Sequence, residues 1–102
     1  MDEIKRKLKL IFSFYASFGD RLNLSYVQAS KVVKMMKDSS VIQKGSVTKK
    51  DVDILFVKIN KSKPNMYFDD FVKFLYSLST LKYDAEPSEA FWLLLKNHIF
   101  PQ

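Results

Sequence analysis

The sequence has no cysteine, only two glycines and three prolines, and one histidine in 102 residues. Without cysteine there is no disulfide framework and no thiolate metal site, which fits a reducing compartment. So few glycines and prolines leave little room for the turns of a many-stranded sheet and favour helices. The apolar runs are short and broken by Lys or Asp, so no segment reads as a transmembrane helix. The opening MDEIKRKLKL places acids before bases and has no small-residue cleavage site. It does not read as a signal peptide, and the expected location is the cytoplasm. His98 alone cannot anchor a zinc site of ordinary type. No Ser–His–Asp order and no Gly-rich phosphate loop is present. Asp51 and Asp53, two apart on a helix, face different ways and make no carboxylate pair. The sequence therefore predicts no enzyme and no cofactor.

What is present is apolar mass and positive charge. At 47% hydrophobic and 15% aromatic residues, the chain can bury one core, and residues 1–102 read as a single domain. A net charge of +6 implies attraction to polyanions: nucleic acid, acidic lipid or an acidic protein surface.

Helical spacing organises most of the chain. From about Glu3 to Phe18, the residues Ile4, Leu8, Ile11, Tyr15 and Phe18 form a stripe. Leu10 and Phe14 widen it, which predicts a well-buried helix stopped by Gly19-Asp20. A second helix, about Gln28 to Lys37, turns Ala29, Val32, Val33 and Met36 inward and Lys31 and Lys34 outward, with Lys37 on the flank. A linker containing Gly45 precedes a third helix, where Thr48 and Asp51 have the spacing of a capping box. That helix runs to about Lys58 with Val52, Leu55, Phe56 and Ile59 inside. After the polar turn NKSKPN, Asp69 and Asp70 occupy the first turn of a fourth helix, where negative charge suits the helix dipole. Its stripe is Phe71, Phe74, Leu75 and Leu78. Pro87 starts a fifth helix that ends before Pro101.

The expected fold is all-α: a degenerate EF-hand pair of four helices, with two short paired strands in the loops (Tyr26-Val27 and Met66-Tyr67), plus a fifth C-terminal helix. Calcium loops place oxygen ligands at positions 1, 3, 5, 7, 9 and 12 with glycine at 6. In the second loop these are Ile59, Lys61, Lys63, Asn65, Tyr67 and Asp70, with Pro64 at 6. In the first, counted from Asp20, positions 3, 5 and 12 are Leu22, Leu24 and Lys31. Ammonium groups stand where a cation would sit, so neither loop is expected to bind calcium.

The lysines of the second helix (Lys31, Lys34, Lys37) and of the second loop region (Lys58, Lys61, Lys63) are candidates for contact with an acidic protein. Nucleic acid is disfavoured, because the aromatics fall on inner stripes and only Arg6 and Arg21 supply guanidinium groups. On the fifth helix, Phe91, Trp92, Leu94 and Leu95 are expected to plug the groove between the two halves. If displaced, they would expose a site for a partner helix.

Four stretches carry a resemblance: IFSFYASFGD at 11–20, KVVKMMKDSSVI at 31–42, SVTKKDVDILFVKI at 46–59 and YFDDFVKFLYSLS at 67–79. Together they resemble the core domain of the tubulin polymerization-promoting protein family. The most specific match is the pattern T-x-x-D-V-D-I-x-F-x-K, met by Thr48, Asp51, Val52, Asp53, Ile54, Phe56 and Lys58. The resemblance covers nearly the whole chain. It implies an EF-hand-like helical domain of proteins that bind and bundle microtubules, in the cytoplasm and cytoskeleton and in ciliated or flagellated cells. Tubulin, with its acidic surface, is the expected partner, alongside other cytoskeletal or axonemal proteins. Longer members carry disordered termini, including a basic Gly/Lys-rich segment that this sequence does not contain; if microtubule binding lives mainly in those tails, weaker binding, or a docked rather than bundling role, is expected. The family's links to zinc and nucleotide hydrolysis are not carried over, since cysteines and a phosphate loop are missing.

Overall fold

The structure is a computed structural model and describes residues 2–43 and 46–101. Helix α1 spans Asp2–Ser17, strand β1 Tyr26–Val27, α2 Ala29–Asp38, α3 Lys49–Asn60, β2 Met66–Tyr67, α4 Phe68–Lys82 and α5 Pro87–Leu94. A π-helical turn, Leu95–Ile99, continues α5. The two strands pair antiparallel, Tyr26 opposite Tyr67 and Val27 opposite Met66. This is the expected all-α architecture: two helix–loop–helix units tied through their loops, with a fifth helix added. Val27 and Met66 each stand at the eighth position of their loop in the numbering above. The position-eight pairing across the two loops is therefore present.

Several helix boundaries have a local cause. Gly19 ends α1 with φ +81, a left-handed conformation that glycine adopts without steric cost. Thr48 and Asp51 form the expected capping box: Thr48 Oγ1 accepts from Asp51 N at 3.2 Å, and Asp51 Oδ2 accepts from Thr48 N at 3.0 Å. Lys61 closes α3 in the left-handed region at φ 53. Pro87 stands at the first turn of α5, where its missing N–H costs nothing. Lys44 and Gly45 of the linker lie outside the described residues. Beside them, Ile42 and Val47 form an isolated parallel bridge.

One apolar cluster fills the interior. It draws Leu8, Phe12, Tyr15 and Ala16 from α1, Val32, Val33, Met35 and Met36 from α2, and Val52, Leu55 and Phe56 from α3. Phe68, Phe71, Phe74, Leu75 and Leu78 come from α4. Phe12 is fully buried and stacks against Phe68 and Phe71, with ring centres 5.5 and 5.2 Å away. Burying such a side chain stabilises the fold by about 1.5–3 kcal/mol.

Helix α1 departs from expectation. Leu10, Phe14 and Phe18, expected to share its buried face, are 68%, 61% and 48% exposed. The inward side is Leu8, Phe12, Tyr15 and Ala16. Both sets have helical spacing, so the periodicity of α1 alone does not say which one meets the other helices.

The fifth helix behaves as core rather than as a loose cover. Leu94, Leu95 and Ile99 are almost wholly buried and join the main cluster, and Phe91 packs partly against it. Phe91 meets Tyr76 of α4 with ring centres 5.4 Å apart. Past the π-helical turn, Lys7 of α1 lies over Phe100 at 5.6 Å. His98 Nδ1 is 3.0 Å from the Ser39 carbonyl. A carbonyl only accepts, so this nitrogen carries the proton. Trp92, grouped with the plug residues, is instead 46% exposed.

Candidate functional site

The two loops are closed by asparagine side chains. Asn60 Nδ2 donates to the carbonyls of Lys63 and Asn65, both at 2.8 Å. Asn23 Nδ2 donates to the carbonyls of Ala16 at 3.2 Å and Tyr26 at 3.0 Å. Asn65 and Tyr26 are the seventh residues of their loops, the position whose carbonyl ligates the ion in a calcium loop. In both loops an amide N–H occupies that carbonyl. Sequence reading missed both asparagines. The available signal was an Asn in a turn-rich polar stretch, where its side chain mimics a backbone partner. Lys61 and Lys63 stand exposed around the second loop. Among the described residues, no group of three or more His, Asp or Glu side chains is arranged to hold a metal.

The six candidate lysines do not share one environment. Lys37, Lys58, Lys61 and Lys63 are exposed. Lys31 and Lys34, expected to face outward, are half-buried. Their ammonium groups lie 5.2 and 5.0 Å from the centre of the Phe18 ring. Lys31 also packs by Gly19, whose missing Cβ would sit 3.7 Å from its Nζ. Lys34 reaches Asp38 Oδ2 at 3.3 Å. The same oxygen accepts from the Tyr15 hydroxyl at 2.9 Å. Burial, and then the bond to Asp38 and its negative charge, push the Tyr15 hydroxyl up to about 12. The bond from Tyr15, seconded by Lys34, holds the Asp38 carboxyl below the usual range, against a smaller opposing effect of burial.

The sheet brings the two candidate groups toward one another. Gln28, three residues before Lys31, donates through Nε2 to Asn65 Oδ1 at 3.2 Å, two residues after Lys63. The start of α2 and the second loop therefore lie side by side.

The structure adds residues that sequence reading placed in the core. Leu10, Phe14 and Phe18 repeat every fourth position of α1 and expose one apolar stripe. Lys31 and Lys34 flank its Phe18 end. Leu22 and Leu24 of the first loop are exposed as well. The premise used against nucleic acid, that the lysines have no exposed aromatic among them, fails at Phe14 and Phe18.

The T-x-x-D-V-D-I-x-F-x-K stretch divides by role. Thr48 and Asp51 cap α3, and Asp53 pairs with Lys49 at 2.7 Å. Val52 and Phe56 are buried. Ile54 and Lys58 are exposed one helical turn apart, with no capping or core role to explain them. No helix among the described residues is long and apolar enough to cross a membrane.

No individual curated protein matches the sequence. The profile of the p25-alpha family matches residues 9–100, which takes in α2 to α5, both strands and all but the first turns of α1. The chain belongs to the p25-alpha family, that of the tubulin polymerization-promoting proteins.

Proposed function

We propose that this protein is a non-enzymatic microtubule-associated protein of the cytoskeleton, working in a stable array such as an axoneme. It would contact tubulin through a mixed surface. The charged part is Lys37, Lys58, Lys61 and Lys63, joined by Lys31 and Lys34 around Phe18. The apolar part is the outward stripe Leu10, Phe14 and Phe18. Membership of the p25-alpha family supports the partner. The observation that carries the surface is the seating of Lys31 and Lys34 on the exposed Phe18 ring, which joins basic and apolar groups in one patch. The exposed pair Ile54 and Lys58 supports a contribution from α3. Lysines facing an acidic partner speed the encounter and make it salt-sensitive, while apolar contact slows dissociation.

The test is charge reversal at exposed lysines outside the ion pairs. Lys37, Lys58, Lys61 and Lys63 are exposed and none enters an ion pair with another described residue. Changing all four to Glu is expected to keep the helical circular dichroism, with a modestly lower melting temperature because Lys37 and Lys58 lie in last helical turns, and to cut co-sedimentation with microtubules strongly. Undiminished co-sedimentation by the folded variant would remove these lysines from the contact.

A second reading, a module that takes a partner helix in its central groove, requires α5 to leave. It is disfavoured by the burial of Leu94, Leu95 and Ile99. Nucleic-acid binding is reopened by Phe14 and Phe18, which could stack bases beside Lys31 and Lys34. A gel-shift series with single-stranded RNA and DNA separates it from the tubulin reading.

A further inference from the structure

Away from the α2 lysines, α1 forms one wall of a trough. Its open part is a cleft of about 860 Å³ lined by Lys5, Arg6, Lys9, Leu10, Leu24 and Tyr67. Beyond it lies an apolar slot of about 440 Å³ among Ile4, Leu8, Val72 and Phe91. Lys5, Phe68 and Asp69 line both, so the two adjoin. Both fall within the roughly 300–1,000 Å³ typical of ligand-binding clefts. α5 stays in place, since Phe91 is part of the slot wall.

The charges along this trough are uneven. Arg6 is held by Glu3 at 2.7 Å, and Lys73, at the far end of the slot, lies 3.8 Å from Asp70. Lys5 and Lys9 enter no ion pair among the described residues. They stand four apart on α1 and so project from one face. Lys9 Nζ lies 4.8 Å from the centre of the Phe68 ring, at the junction of cleft and slot. Among the described residues, Asp69 is the one carboxylate in the lining. Two ammonium groups thus line a cleft of mixed polarity beside an apolar slot.

We propose that this trough binds an acidic peptide segment bearing one bulky apolar residue. The apolar side chain fills the slot, and carboxylates on neighbouring turns meet Lys5 and Lys9. The concave shape favours a peptide over a bilayer, which could not follow the cleft into the slot. This site uses none of the lysines of the microtubule reading and shares with it only Leu10.

The test uses a fluorescein-labelled, twelve-residue Glu-rich peptide carrying a single Phe, and the same peptide with Ser in place of Phe. Fluorescence anisotropy reads binding to the full chain, and amide shifts in two-dimensional NMR read the location. The Phe peptide is expected to shift residues of the first half of α1 and the first turns of α4. The Ser peptide should bind several-fold more weakly, because it leaves the slot empty. The double variant Lys5→Glu/Lys9→Glu should weaken the Phe peptide roughly ten-fold or more, the scale of reversing two exposed charges. Val72→Thr, nearly equal in volume but polar, should weaken it, with the circular dichroism of the parent kept as the check that the fold survives. Equal binding of the two peptides, indifference to Lys5→Glu/Lys9→Glu, or shifts confined to α2 and the second loop would overturn the proposal. Lys5- and Lys9-dependent binding to anionic phosphatidylserine vesicles, with no peptide binding, would overturn it in favour of a membrane contact. Microtubule co-sedimentation of the same Lys5→Glu/Lys9→Glu variant separates the two sites: loss of peptide binding with microtubule binding kept is the expected pattern.

Discussion

Lys34 of α2 lies with its ammonium group 5.0 Å from the centre of the Phe18 ring and 3.3 Å from the Asp38 carboxylate. One side chain thus connects the end of α1, its exposed apolar stripe and the acid that holds Tyr15. The ring contact is worth about 0.5–1 kcal/mol at an exposed site. Its larger consequence is positional, because it fixes a positive charge beside an aromatic face.

If that surface meets tubulin, removing its apolar part should matter where salt has screened the charges. The variant Phe14→Ser/Phe18→Ser is expected to stay folded, since neither ring belongs to the buried core, at a cost of about 1–2 kcal/mol that includes the ring contacts of Lys31 and Lys34. It should lose microtubule co-sedimentation at high ionic strength more than at low. Equal loss at all salt concentrations would assign the contact to charge alone.

The asparagine closures make a separate claim about the loops. Asn60→Ala removes two part-buried hydrogen bonds that close the second loop and should destabilise the chain by roughly 1–2 kcal/mol, read as a lower urea midpoint with an unchanged slope. Millimolar calcium should leave the melting temperature of the parent unmoved, because the position-seven carbonyls already accept from Asn60 and Asn23. A calcium-dependent rise in melting temperature would contradict this account of both loops.

The pair Tyr15 and Asp38 gives opposite pH dependences at the two ends of the scale. Tyr15 titrates higher in the fold, at about 12, than in the unfolded chain. Its contribution is fully present below the ordinary tyrosine pKa of about 10 and is lost as pH rises toward the folded value. Asp38 titrates lower in the fold, so its contribution is present above the ordinary carboxylate range and is lost as pH falls through the folded value. Tyr15→Phe should flatten the alkaline limb of a stability–pH curve. An unchanged alkaline limb would mean that another group governs it.

Helix α5 is expected to be indispensable. Leu94→Ala opens a cavity in the shared core and should cost about 2–5 kcal/mol, measured by urea unfolding. Ending the chain before Pro87 should unfold it rather than uncover a peptide site. A folded, peptide-binding truncation would restore the displaceable-plug reading.

Most of the helical frame was legible because α2, α3 and α4 each carry one apolar stripe, bounded by a cap, a glycine or a polar turn. The strand pair was legible from two short apolar pieces at matched loop positions, Val27 and Met66. In α1 two apolar stripes compete, Leu8-Phe12-Tyr15 and Leu10-Phe14-Phe18, and only packing against α4 chooses between them. The outward stripe was therefore invisible as a surface. Lys31 and Lys34 were correctly set on the face opposite Val32 and Val33. Their burial against Phe18 depends on how α1 approaches α2, which local spacing does not encode. The loop-closing amides of Asn23 and Asn60 were missed because their partners are carbonyls, which leave no mark in a pattern of side chains.

The most direct measurement is co-sedimentation of the protein with stabilised microtubules across a salt series, using intact tubulin and tubulin stripped of its acidic tails. The account predicts binding that weakens as salt rises and when the tails are removed, with a residual fraction held by the Leu10, Phe14 and Phe18 stripe. No sedimentation at any salt concentration, or binding indifferent to both salt and tails, would contradict it.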